Sequence, residues 1–355
     1  MRKWRFEVLF SLILVLFTTY ALLDTFVIPR QYETVQSIPD TSAQELREVQ
    51  PSAQVQLSTQ VQPSTEVQPD SDSGDTARRR KRGKPSGRST GGTSSQVTDT
   101  GKTSQAAAPQ ITGAGDSGTW SNENISVTLT QYREYDTDVY VADVTLSAPE
   151  YLKTALAGDA YGRNIKDKTS AIAAANGAIL AINGDYYGAR ERGYVIRNGV
   201  LYRDTPAGGD VLAIMNDGSF RIVDDRTVTA QELLDAGALQ VLSFGPALLK
   251  NGVVSVSEGQ EVGRAMASNP RTAVAVLGDL HYAFIVADGR TDRSEGMSLY
   301  ELAEFIRGLG AESAYNLDGG GSSTMVFQGE IVNRPTTSGN SLKERSVSDI
   351  VCISP

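Results

Sequence analysis

Three consecutive glycines, Gly319, Gly320 and Gly321, stand directly behind Asp318 at the end of a short apolar strand pattern, Ser313-Ala-Tyr-Asn-Leu317. Glycine packs nothing and costs backbone entropy beside a strand, so three in a row need a reason. Close approach of backbone to a ligand supplies one, because successive N–H groups in a turn form an anion-binding concavity. The hydroxyls of Ser322, Ser323 and Thr324 extend the donor set. No lysine follows at phosphate-loop spacing, so a Walker-type nucleotide loop does not fit.

The surrounding pattern gives this turn a position. Tyr282-Ala-Phe-Ile-Val-Ala287 reads as a strand ending at Asp288-Gly-Arg290. Ser298 and Glu301 are spaced as a capping box, and the helix they open carries Leu299, Leu302, Ala303, Ile306 and Leu309 on one face before stopping at Gly308–Gly310. Strand, helix, strand predicts parallel strands joined by a right-handed crossover, which puts Asp288 and Asp318 on one carboxyl edge. Ligands of open α/β sheets bind outside that edge. An earlier strand pattern, Ala178–Ile182, runs into Asn183-Gly-Asp-Tyr-Tyr187 and would bring Asp185 there as a third carboxylate. Taken singly, Asp-Gly-Arg and Asn-Gly-Asp are ordinary turn sequences.

Arg271, after the Pro270 break, is either an edge-strand surface residue or a phosphate clamp, guanidinium forks matching phosphate oxygens in pairs. His281, the only histidine, starts the strand that ends at Asp288. It therefore sits away from the proposed edge, which disfavours a Ser-His-Asp hydrolase. Elsewhere, Asn124–Thr130 and Val139–Leu146 read as strands, and Thr169–Asn176 as an Ala-rich helix. Arg197-Asn-Gly-Val200 and Met215-Asn-Asp-Gly-Ser219 read as hairpin turns. Thr229–Ala236 reads as a short helix with a Thr229/Glu232 capping box. The expected fold is α/β or α+β: a single domain over 120–355 with a mixed sheet and flanking helices.

The N-terminal third is built differently. Met1-Arg-Lys-Trp-Arg5 precedes an apolar run from Val8 to Leu23 that resumes through Ile28, close to the ~20 residues a spanning helix needs. Basic residues ahead of such a run keep the N-terminus cytoplasmic and send the rest across. No small-x-small cleavage site follows, so residues 1–29 are expected to be an uncleaved single-pass anchor in the cell membrane, a cleaved signal being the alternative. Residues 30–119, rich in Gln, Ser, Thr, Pro and Gly, cannot bury enough apolar surface to offset chain entropy and are expected to form a disordered linker. Within it, Arg78-Arg-Arg-Lys-Arg-Gly-Lys84 is either a contact for anionic polymer or lipid, or a solvated charge run.

Net charge is −9, and residues 120–355 carry 20 Lys/Arg against 30 Asp/Glu. That acidity argues against nucleic acid as a partner. One Cys and one His make an intrachain disulfide impossible and a Cys/His zinc site untenable, and no cofactor or metal is expected. Cys352, between Val351 and Ile353, reads as a buried strand residue.

At these residues the chain resembles the phosphodiester glycosidase family. The likeness rests on Ala181-Ile-Asn-Gly-Asp-Tyr-Tyr187, Asn269-Pro-Arg-Thr-Ala-Val274, Asp288-Gly-Arg290, Asn316-Leu-Asp-Gly-Gly-Gly-Ser-Ser-Thr324 and Val332-Asn-Arg-Pro335, in the family's order, across 120–355. The chain departs from the family pattern at Asp185-Tyr186, where a second glycine and an aromatic are common, and at Ala275, where glycine is common. The resemblance implies an extracytoplasmic hydrolase that cleaves the sugar C1–O bond of a sugar-1-phosphodiester, in cell-surface or exopolysaccharide metabolism. Its partners would be a sugar phosphate or an anionic surface polysaccharide. It further implies Asp318, Asp288 and Asp185 as candidates for the chemistry. Asn183, Gly184, Arg271, Thr272, Arg290, Asn316, Gly319, Gly320, Gly321, Ser322 and Ser323 would hold substrate. A non-catalytic phosphosugar-binding module and a P–O-cleaving phosphodiesterase use many of the same residues and stand as alternatives.

Overall fold

A computed structural model describes residues 2–32, 118–262, 268–337 and 341–355, with side chains from Val8 onward. Most of the expected linker, the basic run at 78–84 included, lies outside the described residues. The first element is a helix, Arg2–Phe26, with an apolar stretch of 19 residues, Val8–Phe26. None of the residues in this stretch is buried, although the domain touches its last turn at Thr25, and it is long and apolar enough to cross a membrane.

From Gly118 the chain forms three main sheets. The largest has eight strands in the spatial order Val253–Val254, Ala247–Lys250, Ser313–Asn316, Arg271–Gly278, His281–Ala287, Thr137–Leu146, Ile125–Glu134 and Gly118–Ser121. A five-stranded sheet runs Glu330–Ile331, Met325–Phe327, Leu180–Asn183, Asp349–Ile353, Leu152–Leu156. A second five-stranded sheet runs Val200–Arg203, Val195–Arg197, Ala238–Leu242, Asp210–Met215, Phe220–Asp224. Alternation sets the layers. Along the large sheet Tyr140, Ala142, Val144, Val274, Phe284 and Val286 turn one way, into a core shared with Leu180, Ile182, Val351, Leu212 and Leu242 of the smaller sheets. Val139, Val141, Ala273, Ala275 and Ile285 turn the other way, onto the helix Leu299–Gly308.

Local expectations hold at several points. Both capping boxes, Ser298/Glu301 and Thr229/Glu232, are closed in both directions. The Asn198-Gly199 turn has the two positive φ angles its hairpin needs. Cys352 is buried in a strand.

The crossover differs from expectation in one respect. His281–Ala287 and Ser313–Asn316 do point the same way, but they are not neighbours. Arg271–Gly278 lies between them, antiparallel to both. Every strand pairing among the described residues is antiparallel. The physical consequence favours the site, because an antiparallel strand placed between two parallel ones begins where they end. Arg271 therefore joins Asp288 and Asp318 on one edge.

Candidate active site

That edge is where the large sheet meets the sheet containing Leu180–Asn183. The Asn183 amide holds the seam. Its Nδ2 donates to the Asp318 carbonyl at 2.6 Å, while its Oδ1 accepts from Thr272 Oγ1 at 2.8 Å and from the Thr324 N–H at 3.2 Å. Thr272 and Asn183 are both fully buried. Asp318 N–H donates to the Gly184 carbonyl at 3.2 Å. A side chain on Gly184 would strike the Asp349 carboxylate, with a Cβ 2.5 Å from Oδ1, so this glycine is what lets Asp349 reach the seam.

The three glycines serve close packing first. A Cβ on Gly319 would lie 2.9 Å from the Pro270 carbonyl, and one on Gly321 2.5 Å from Thr337 Oγ1. Gly320 has φ +60 and abuts the Arg290 guanidinium. The N–H groups of Gly320, Ser322 and Ser323 are occupied by the carbonyls of Pro270, Gly319 and Gly320. The anion concavity expected of this turn is thus partly filled by the protein's own backbone.

Charge around the turn comes from arginines. Arg345 reaches in from the segment before the last strand, donating to Ser322 Oγ from Nε at 3.0 Å and lying 3.4 Å from Asp318 Oδ2. Arg290 donates to Asn269 Oδ1 at 2.6 Å and to the Thr337 carbonyl at 2.9 Å. Burial, then Arg345 and Arg271, push the Arg290 guanidinium below its ordinary pKa, as expected for cations gathered at one place. Arg271 itself is buried, donating to the Met297 carbonyl at 2.7 Å and paired with Glu261 at 2.6 Å.

The three carboxylates of the sequence have unlike surroundings. Burial raises the Asp318 pKa, opposed by Ser322, Arg345, Arg190 and the Gly319 N–H. Burial also raises Asp288, whose Oδ1 accepts from Asn333 Nδ2 at 3.0 Å and from the Arg334 N–H at 2.9 Å. Asn333 also donates to the Ser323 carbonyl at 3.0 Å, so Asp288 supports the glycine turn from behind. Asp185 is caged by the Tyr187 N–H at 3.1 Å, the Ser243 N–H at 2.8 Å and Arg197 at 3.0 Å.

Sequence reasoning missed three residues. Arg197, 2 % exposed, sits between Asp185 and Asp349, with Nε donating to Asp349 Oδ2 at 2.9 Å. Burial holds Asp349 well above the ordinary carboxylate range, with Arg197 opposing. Arg345 is the third. An arginine at the end of the apolar Val195-Ile-Arg197 and an aspartate opening the apolar Asp349–Ile353 were signals that a buried ion pair leaves in a sequence. Arg345 left none.

Among the described residues, several of the buried polar atoms without a hydrogen-bond partner lie at this edge: Asp288 Oδ2, Asn316 Oδ1, Ser323 Oγ, Thr324 Oγ1 and Asp349 Oδ1. Asn316 spends its Nδ2 on the Gly245 carbonyl at 2.8 Å. Such atoms are costly in a folded chain and concentrate where a ligand or reaction needs them. The far end of the large sheet has a cavity of about 850 Å³ lined by Asp217, Asp279 and Glu312 without an arginine, which suits no anion. His281 lies at that end, paired with Asp143 at 2.9 Å. Among the described residues, no three His, Cys, Asp or Glu side chains group as a metal site requires.

Comparison with known proteins bears on the family and the fold. A sequence model of the phosphodiester glycosidase family matches residues 176–354. N-acetylglucosamine-1-phosphodiester α-N-acetylglucosaminidase of Mus musculus is 31 % identical over 161 residues, 39 % of this chain and 31 % of the mouse protein. An uncharacterized prophage-derived protein, YomE, of Bacillus subtilis is 29 % identical over 202 residues, 55 % of this chain and 30 % of that one. The chain thus spans about a third of the length of these relatives. In fold, it is similar to the catalytic domain of the zebrafish N-acetylglucosamine-1-phosphodiester α-N-acetylglucosaminidase, with a TM-score of 0.54, 21 % identity and coverage of 68 % of this chain and 88 % of that domain. The α+β half of the expected fold class is the one realised, and the chain belongs to the phosphodiester glycosidase family.

Proposed function

We propose that this chain is an extracytoplasmic hydrolase, anchored by its N-terminal helix with the N-terminus cytoplasmic, that cleaves the C1–O bond of a sugar-1-phosphodiester at the cell surface. One observation carries the reading: a buried carboxylate, Asp318, lies beside Arg345 in a cluster that Arg290 and Arg271 complete. A departing phosphate monoester needs charge neutralisation more than it needs a proton. Arg345 and Arg290 face that task, and Arg271, committed to Glu261 and Met297, adds its charge from behind. Ser322 and Ser323 supply hydroxyl donors at the same turn, and Asn316 a further polar group.

Asp318 acts on the sugar side. As a carboxylate it stabilises the oxocarbenium-like carbon and takes the proton of the incoming water, or attacks the carbon itself before water releases the sugar. Either route has the same balance. Water oxygen joins C1, the C1–O bond breaks with its electron pair going to the phosphate, and one proton is released. Asp288 and Asp185, held by two and three partners respectively, position the turn and the seam, as do Asn183, Gly184 and Thr272. The substrate class spans small sugar phosphates and anionic surface polysaccharide, including exopolysaccharide.

Hydrolysis in oxygen-18 water tests the reading. Label in the released sugar is the expected outcome. Label in phosphate would make the chain a phosphodiesterase, and tight binding without product would make it a carrier of phosphosugar polymer.

A further inference from the structure

The helix Arg2–Phe26 does not end in free chain. Val27 and Ile28 donate to the Leu23 carbonyl, and within four residues Arg30 and Gln31 pair as a short antiparallel strand with Arg163 and Gly162. The Tyr32 N–H then donates to the Tyr161 carbonyl at 2.9 Å. Four residues reach at most about 14 Å, so this edge of the domain lies against the helix terminus. Asn164 closes the remaining gap. Its Nδ2 lies 3.2 Å from the carbonyls of Thr25 and Ile28, the former inside the last helical turn.

The partner strand is adapted to this contact. A Cβ on Gly162 would stand 1.9 Å from the Arg30 carbonyl, so only glycine admits the incoming segment. The docked face is aromatic: the Tyr161 ring lies 5.9 Å from Tyr32, 5.2 Å from Tyr187 and 4.9 Å from Tyr202, centre to centre. Tyr161 and Tyr187 are buried and Tyr32 is exposed, and tyrosine is, with tryptophan, enriched at the membrane–water boundary.

Beside this face lies a cavity of about 340 Å³, walled by Tyr32, Tyr161, Tyr187, Arg190, Glu191 and Arg203. Its wall from Tyr187 to Arg190 continues the segment that carries Asn183 and Asp185. Tyr187 belongs to the turn that carries Asn183, Gly184 and Asp185, and Asn164 N–H donates to the Gly188 carbonyl of that turn at 3.4 Å. Arg190, whose guanidinium stacks on Phe244 at 4.6 Å, is close enough to Asp318 to favour its charged form.

We infer that the substrate is a sugar-1-phosphodiester whose aglycone is held in the bilayer, its phosphosugar head entering through the cavity beside Tyr32 and Arg190. This rests on the hydrolase reading above and narrows it. A domain whose edge is held against the helix terminus meets lipid-borne head groups at high effective concentration, whereas a polymer far from the membrane gains nothing from rigid docking. The products are free sugar and a lipid phosphate monoester, with water oxygen on C1 and the C1–O electron pair on the phosphate.

The test uses the full chain reconstituted into phospholipid vesicles with two esters of N-acetylglucosamine-1-phosphate, one of a long-chain polyprenol in the same bilayer and one of methanol in solution. Sugar release from the polyprenyl ester is expected to exceed that from the methyl ester by at least about tenfold in kcat/KM, the gain that tethering supplies. Inserting about eight Gly/Ser residues between Ile28 and Pro29, a flexible spacer, should abolish this preference while leaving methyl-ester turnover unchanged. Equal rates on the two esters, or a preference that survives the insertion, would overturn the inference and leave the hydrolase reading standing. No release from either ester would overturn both.

Discussion

Asp318 and Asp185 begin alike and end differently. Each follows a short apolar strand and a nearby asparagine, and each arrives at the seam between two sheets. Asp185 is met there by Arg197, a side chain 2 % exposed that has no room to move, and by two backbone N–H groups. Asp318 is met by Arg345, whose side chain is 42 % exposed. A carboxylate caged by buried partners has its bonding capacity spent. One whose counter-ion is exposed to water can exchange that counter-ion for a substrate. The difference lies in the partner, not in the motif.

Four measurements would break or sharpen this contrast. The largest effect is expected from Asp318→Asn, which should lower kcat by about 10²–10⁴-fold with an unchanged thermal unfolding curve, and near-normal turnover would remove Asp318 from the chemistry. Arg197→Met should act on stability instead. It leaves Asp185 and Asp349 buried without their cation, at a cost of about 3–5 kcal/mol in denaturant unfolding, and a loss below ~1 kcal/mol would mean the cage is not what holds Asp185.

Arg345→Gln comes third, and is expected to raise KM by about tenfold, the worth of one charge-assisted hydrogen bond, with little change in stability. It should also move the acid limb of the pH–rate profile. Burial already lifts Asp318 above the ordinary carboxylate value of ~3.9, and Arg345 opposes that lift. Without the cation the limb should shift to higher pH, and a downward shift would contradict the assignment. Asp288→Asn should show the smallest effect. The raised pKa of Asp288 means that stability falls as pH rises from the ordinary carboxylate range through the folded-state value and stays lower above it. Asparagine can accept the same two N–H donors, so its unfolding midpoint should fall less over that range than the wild type's.

Much of this was legible in sequence where the cause is local. Both capping boxes, the Asn198-Gly199 hairpin and the placement of Asp288 and Asp318 at strand ends follow from spacing of a few residues. What escaped depends on which strands become neighbours. Nothing within 281–316 announces that Arg271–Gly278 inserts between the two strands, and that insertion is what brings Arg271 to the edge. Arg197 and Asp349 are 152 residues apart, and neither has meaning until two sheets pack. The glycine run was read for ligand contact, yet its tightest neighbours are Pro270 and Thr337. The same absence of side chains serves both needs, so sequence could not separate them.

The Asn183 amide accepts from one sheet's Thr272 and donates to the carbonyl of Asp318. That makes the site a product of complete assembly. A form in which either sheet has undocked has no seam and no Asp318 turn in place. Such a form would have no activity, and recovery of turnover during refolding would report the docking of the two sheets rather than the formation of either one.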